Sequence, residues 1–412
     1  MSRRRLQSRG SRPGDCDHRH RSATSITPSI IGSSEGRVTQ VEQASDPVRI
    51  VHVSSVHSWS DNRIYYRECT SLQAMGYKVT LVAVESTVDA ERTDVDVVTL
   101  RRLPRLVRAS LGSVLAIAAG LRTGAKLFHL HDPELTWAIP LLRGLGKRVI
   151  YDAHEDLLMQ IDNKKYVTPA LRPFMIVAAR VSLGLARRAN HVVTATETIA
   201  ERFSASRVTT VHNYPTLSAD ASPGGPVASR PRSLVYVGAI SERRGVIQMV
   251  DAIASSAFPE GWRLQLAGPM PADLRARVSA SAGWAGVEYH GPVSPSHARG
   301  LMQGSRVGFV VLQSNAAYLD SLPTKMFEYF AAGTPVIASD FPLWRRIIEE
   351  HDCGLVVDEK DPDAIAAAVA RYSEEPDLLD RHSRNALRAA KETFNWDAET
   401  VHLRAAYRKA VE

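Results

Sequence analysis

The chain has 412 residues, too many for one ordinary core and suited to two domains of ordinary size. Its 44% apolar and 23% charged residues are those of a globular protein, and no apolar run reaches the ~20 residues that cross a bilayer. The net charge of +7 is unevenly placed, and three scattered cysteines, Cys16, Cys69 and Cys353, lack any metal or disulfide spacing and read as free thiols of a reducing compartment.

In chain order, residues 1–46 come first, with Arg3, Arg4, Arg5, Arg9, Arg12, Arg19 and Arg21 set among Ser, Gly, Pro and His. That composition cannot bury a core, so a disordered basic tail is expected. It reads either as a loose tether to anionic lipid or nucleic acid, or as an unselected tail or misassigned start. No hydrophobic stretch follows the arginines, which excludes a secretory signal and makes a cytoplasmic location the expectation. No specific nucleic-acid partner is expected.

From Pro47 onward short β-branched runs predict strands at 49–55, 78–84, 126–131, 148–154 and 191–196, separated by helical stretches. The first is followed by Ser54-Ser-Val-His57-Ser-Trp-Ser-Asp61-Asn-Arg63. The third ends in Phe128-His-Leu-His131-Asp-Pro-Glu134 and the fourth in Tyr151-Asp-Ala-His154-Glu155-Asp156. Alternation puts His129 and His131 on one side of their strand. A zinc ion on His131, Asp132, His154 and Glu155 is one reading of these clusters. The basic stretch 101–122 reads equally as a membrane-surface helix or a core-facing one.

Residues 215–232 hold Pro215, Pro223, Gly224, Gly225, Pro226 and Pro231 and predict a linker. A second series of strands follows at 233–239, 263–268, 287–291, 307–313, 334–339 and 354–358. Buried parallel strands alternating with helices, twice over, predict two doubly wound α/β domains, at 47–214 and 233–395. Residues 396–412 predict a final helix packing back on the first domain. Ligands of such sheets bind beyond the carboxyl ends of the strands, so the cleft between two facing sheets is where chemistry is sought.

Two segments of the second series carry chemistry. In Asp320-Ser-Leu-Pro-Thr324-Lys325-Met-Phe-Glu328, Pro323 suits a first helical turn, and the helix N-terminus near Thr324 offers free N–H groups to an anion. Lys325 adds charge, and Glu328 on the same face suits vicinal ribose hydroxyls; an ordinary surface Lys–Glu pair is the other reading. In Val235-Tyr-Val-Gly238-Ala-Ile-Ser-Glu-Arg243-Arg244-Gly245, Gly238 allows close approach of a phosphate, and Arg243 and Arg244 supply fixed cations, unless they are merely exposed loop arginines. Neither a Walker loop nor a Gly-x-Gly-x-x-Gly fingerprint is present.

Together these segments resemble the donor site of the family-4, or group 1, retaining glycosyltransferases. Their pattern is a glycine-ended strand with Lys-Gly or Arg-Gly, then Glu-x7-Glu, then Ala-Gly-x-Pro-Val-Ile-Ala. Glu328 matches the second glutamate, which in the family holds the ribose, and Asp320 stands eight positions earlier for the first, which contacts the donor sugar. Arg244 stands where the family places its phosphate-binding lysine, and Ala239 replaces a frequent arginine, for which Arg243 compensates. Thr324 and Lys325 belong to a variant similar to bacterial polysaccharide-assembly members. The resemblance implies a GT-B fold of two Rossmann-like domains facing across a cleft. It implies transfer of a hexosyl group from a nucleotide-diphosphate sugar to a glycan, glycolipid or small-molecule hydroxyl, with retention and without metal or other cofactor. It assigns His131 to the reacting sugar, with Arg243, Arg244 and Lys325 as leaving-group cations, and it places His57, Asp61, Arg63, His154 and Glu155 on the acceptor side. Asn213 is expected to fix backbone at the domain crossover. Peripheral contact with the inner face of a membrane fits a lipid-linked acceptor. A nucleotide-sugar epimerase on the same fold and a noncatalytic binding protein are the competing readings.

Overall fold

The computed structural model describes residues 47–86, 91–161, 168, 170–217 and 225–412. The basic stretch 1–46 and the middle of the expected linker, 218–224, lie outside the described residues.

The described residues of the first half form one parallel sheet from β1 (Arg49–Ser58), β2 (Lys78–Val84), β3 (Asp96–Leu100), β4 (Leu127–Leu130), β5 (Arg148–Ala153), β6 (His191–Thr194) and β7 (Val208–Thr210). Its order is β3-β2-β1-β4-β5-β6-β7. The second half adds β8 (Ser233–Val237), β9 (Arg263–Ala267), β10 (Val287–Gly291), β11 (Val307–Val310), β12 (Val336–Ser339) and β13 (Gly354–Val357), in the order β10-β9-β8-β11-β12-β13. The chain is thus the expected pair of doubly wound α/β domains. Strands such as Leu127–Leu130 and Val307–Val310 are buried at every residue because helices cover both faces of each sheet. Two strands were not foreseen. Asp-Val-Val-Thr-Leu of β3 is largely exposed at the sheet edge, and Val-Thr-Thr of β7 has only three residues, so neither carries a buried apolar run.

Strand alternation sorts the first lobe into two cores. Val51, Val53, Phe128, Leu130, Val149 and Tyr151 point to one face, and Ile50, Leu127, Ile150 and Val193 to the other. The second face is closed by the helix Trp396–Val411, whose Trp396, Leu403, Ala406, Tyr407 and Ala410 lie in that core. This helix begins with Asn395, whose side chain accepts from the Ala398 N–H, and it runs from acidic Asp397 and Glu399 to basic Arg408 and Lys409, in line with its dipole. Trp396 Nε1 donates to Ser71 Oγ at 2.8 Å, and Arg148 Nη2 to the Glu412 carbonyl at 3.1 Å. The final helix therefore returns from the second lobe to the first. Leu403 is fully buried there, so Leu403→Ala would cost about 2–5 kcal/mol.

Candidate active site

In each sheet the strand order reverses next to the first strand, between β1 and β4 and between β8 and β11. At such a switch point the loops part and leave a crevice beyond the strand ends. A cavity of about 620 Å³ lies there, walled by His57, Asp61, Arg63, His154 and Glu155 from the first lobe and by Arg244, Asp320, Thr324 and Lys325 from the second.

The second-lobe wall is built on two glycines. Gly238 ends β8 with φ +134°, and a Cβ there would come within 3.1 Å of Lys325 Cε and 3.5 Å of Arg244 Nη1. Glycine at this position lets two cations converge over bare backbone. Gly245 (φ +75°) turns the chain into the helix Val246–Ile253, and any Cβ would fall 1.9 Å from the Val311 carbonyl oxygen. That turn orients Arg244, whose guanidinium is hydrogen-bonded by the Tyr236 and Tyr318 hydroxyls. Lys325 lies in the first turn of the helix Thr324–Ala331, and its Nζ donates to Glu328 Oε2 at 2.8 Å. Glu328, its side chain 24% exposed, thus stands beside the ammonium, next to the lining residues rather than among them. Arg67 of the first lobe feels its charge, although burial is the larger influence and lowers the arginine's pKa. Asp320 is exposed at the cavity rim. Arg243 is also exposed but does not line the cavity, which corrects its expected place beside Arg244. Its carbonyl instead accepts from the Gln313 N–H at 2.9 Å.

The first-lobe wall is held from beneath by Asp132. Its Oδ2 accepts from Ser54 Oγ (2.9 Å), Ser55 N (2.6 Å), Ser55 Oγ (3.3 Å) and Val56 N (3.2 Å), and its Oδ1 lies 3.1 Å from His57 Nδ1. Burial opposes ionisation of Asp132, but His57 and these donors outweigh it and hold the carboxyl below its usual range. Burial likewise opposes charge on His57, yet Asp132, Asp61 and Asp152 together raise its pKa to about 9. His57 therefore faces the cleft as an imidazolium at neutral pH. His154 stands beside it, edge to face with ring centroids 5.1 Å apart. Asp61 spends Oδ1 on the Arg63 and Ile64 N–H groups, and Arg63 spends its guanidinium on Asp152 and the Val211 carbonyl. Both residues border the cleft, but their hydrogen bonds run into their own lobe. Asn213 accepts from Arg67 Nη1 with its side chain and so anchors a side chain, not the backbone expected of it.

His131 is corrected most. It does not line the cleft: its ring is fully buried, with Nδ1 3.1 Å from Asp152 Oδ2 and Nε2 2.9 Å from His52 Nδ1. The His52 Nε2 and His129 Nδ1 atoms both meet the Tyr407 hydroxyl, at 2.9 and 2.7 Å. Alternation put His129 and His131 on one side of the strand, but that side is the one the final helix covers. The alternative zinc set also divides, because Asp132 is saturated by its serines and His57 while His154 and Glu155 face the cavity. His52, Glu68 and Tyr407 went unnoticed in the sequence, each sitting within an apolar or helical run, and Asp152 was seen in the Tyr151–Asp156 cluster without a role. Asp152 ties this layer to the wall. Burial opposes its charge, but Arg63 first, then His131 and His154, hold it well below the usual carboxylate range.

Residues 61–214 match the family described as Glycosyltransferase Family 4, and residues 222–389 match Glycosyl transferases group 1. The two matches meet at the linker, and the chain belongs to the group 1, family 4 glycosyltransferases. The lipopolysaccharide core biosynthesis mannosyltransferase LpcC of Rhizobium leguminosarum bv. viciae is 34% identical over 80 residues, 19% of this chain and 23% of that protein. The match thus spans under a quarter of that relative's length. Sucrose-phosphate synthase from Thermosynechococcus elongatus superposes with a TM-score of 0.69 at 19% identity, covering 88% of this chain and 99% of that one. Anabaena HepE in complex with UDP-glucose gives 0.64 at 14% identity, covering 87% and 99%. At these identities the superpositions speak for the shared GT-B fold. No helix of the described residues is long and apolar enough to cross a membrane.

Proposed function

We propose that this glycosyltransferase moves a hexosyl group from a nucleotide-diphosphate sugar to a hydroxyl of a glycan, lipid-linked or small-molecule acceptor, in the cytoplasm. Transfer proceeds with retention at the anomeric carbon and without metal in the cleft. One observation carries this reading: Arg244 and Lys325 converge on the bare backbone of Gly238 at the cavity wall. Cleavage of the bond between anomeric carbon and phosphate leaves negative charge on the diphosphate, and fixed cations that tighten as it develops lower the barrier. The N-terminal N–H groups of the helix at Thr324 add to that field. Glu328, already holding Lys325, accepts the ribose hydroxyls, and Asp320 at the rim reads the sugar. The departing phosphate takes the acceptor's proton on the same face, so no enzyme carboxylate is needed beside the anomeric carbon.

On the opposite wall the His57 imidazolium, backed by Asp132, hydrogen-bonds a sugar hydroxyl, with His154 and Glu155 beside the acceptor. His131 acts through Asp152, which orients His154 and Arg63. HepE, of the same fold, is known with UDP-glucose, and that supports a nucleotide-sugar donor here. A lipid-linked acceptor is favoured by the apolar side chains exposed on 105–115, Leu106, Leu111, Val114 and Leu115, beside Arg101, Arg102 and Arg105. Such a face suits peripheral contact with an anionic membrane. The test incubates the enzyme with nucleotide sugars, with and without acceptor, and follows nucleoside diphosphate together with the anomeric signal of the product. Acceptor-dependent release with the donor's configuration kept is expected; sugar isomerised without acceptor would mark an epimerase.

A further inference from the structure

Beneath the first-lobe wall, four side chains of metal-ligating type meet in the core. His52 on β1, His129 on β4, His131 just after β4 and Glu68 on the segment Ile64–Cys69 are all fully buried. One ligand atom from each lies within 4.8 Å of every other. We propose that this cluster is a buried transition-metal site, suited to zinc and separate from the donor cleft.

The geometry supports it. A tetrahedral ion with bonds of about 2.0–2.1 Å sets its ligand atoms roughly 3.3 Å apart. Here His52 Nδ1 is 2.9 Å from His131 Nε2 and 3.9 Å from Glu68 Oε2, and His129 Nδ1 is 3.7 Å from that same Oε2. These three edges bracket the tetrahedral value, and with no edge above 4.8 Å the shell closes when the side chains draw together and His129 Nδ1 turns from the Tyr407 hydroxyl to the ion. Three imidazoles and one carboxylate form the ligand set zinc favours, with no soft thiolate that would select copper(I).

The outer contacts fit as well. Metal-bound histidines characteristically give their second ring nitrogen to a carboxylate or hydroxyl, which fixes the tautomer. His131 offers Nδ1 to Asp152, leaving Nε2 inward, and His52 offers Nε2 to Tyr407, leaving Nδ1 inward. Arg63 Nε stands 3.1 Å from Glu68 Oε1. Beyond that ion pair, neither Glu68 oxygen makes a hydrogen bond among the described residues. A buried carboxylate left in that state is destabilising, and a cation bound to it relieves the cost. A metal here would rivet β1 to β4 and, through the Tyr407 hydroxyl on His52 Nε2, to the covering final helix.

The test uses the full chain, made without a metal-affinity tag in medium supplemented with zinc or cobalt alone. The expected result is about one ion per chain, retained when the folded protein is dialysed against EDTA and released to a chromogenic chelator on denaturation. The cobalt form should show the intense visible absorption of a tetrahedral site. Glu68→Gln and His129→Gln should lose the ion and melt at lower temperature, with thermal stability no longer dependent on zinc in the medium. If a variant fails to fold, stoichiometry and spectrum of the wild type still decide. Wild-type protein without bound ion from either medium overturns the proposal, as does an ion that EDTA strips from the folded chain or that both variants retain. Nucleoside-diphosphate binding measured on the same preparations reports on the donor cleft independently.

Discussion

Beyond β1, β4 and β5 the first lobe gathers His57, Asp132, Asp152, His154 and Arg63, and nearly every polar atom there is engaged by another of the same lobe. Beyond β8 and β11 the second lobe gathers Arg244 and Lys325 over a glycine, on a core that is otherwise apolar. The first arrangement is rigid because each member neutralises its neighbours, and removing one leaves buried charge unpaired. The second keeps its cations at the surface of a 620 Å³ cavity, where a ligand can engage them. Substitutions in the second lobe should therefore damage turnover while sparing the fold, and substitutions beneath the first-lobe wall should do the reverse.

The largest effect belongs to Arg244→Ala and Lys325→Ala, each expected to lower turnover roughly 100- to 1,000-fold with the melting temperature nearly unchanged. Normal turnover in both would remove the leaving-group role. His131→Ala comes next. It strips Asp152 and His52 of a partner and should cost about 3–5 kcal/mol in denaturant unfolding while nucleotide affinity holds. Full stability with lost turnover would return His131 to the cleft and break the contrast. Glu328→Gln weakens charge-assisted bonds to ribose and should reduce donor affinity about tenfold to a hundredfold by calorimetry.

A smaller effect follows pH. His212 lies between Glu197, at 2.9 Å, and Glu399 of the final helix, at 3.0 Å. Burial opposes its charge, but the two carboxylates raise its pKa to about 9. A pKa above the unfolded value means stability fully present below about pH 6.5 and lost as pH rises through 9. The melting-temperature gap between wild type and His212→Gln should therefore narrow from pH 6.5 to pH 10, by the equivalent of roughly 1–3 kcal/mol, discounted for the exposure of Glu197. A constant gap would mean the histidine is held by packing alone. Smallest of all is chelation: if fixed cations serve the leaving group as proposed, EDTA on the folded enzyme should change activity by less than about twofold.

What the sequence made legible divides along the same line. The second lobe's site is local: Gly238, Arg244, Lys325 and Glu328 lie in two short segments whose turns and helix start are written in glycine and proline. The first lobe's site is assembled by distant partners. Alternation on β4 could say that His129 and His131 share a face, but not that Tyr407, from the last helix, covers it. Arg243 and Arg244 were indistinguishable until Gly245 set which one turns inward. The edge strands β3 and β7 escaped because exposed strands need no apolar run.

The central claim is that the second lobe alone grips the diphosphate. The most direct test titrates a panel of nucleoside diphosphates into wild type, Arg244→Ala, Lys325→Ala and His57→Ala by calorimetry, on preparations matched for melting temperature. The best-bound diphosphate should weaken at least about tenfold in the first two variants and stay within about twofold in the third. Equal affinity across all four proteins, or a loss confined to His57→Ala, would contradict it.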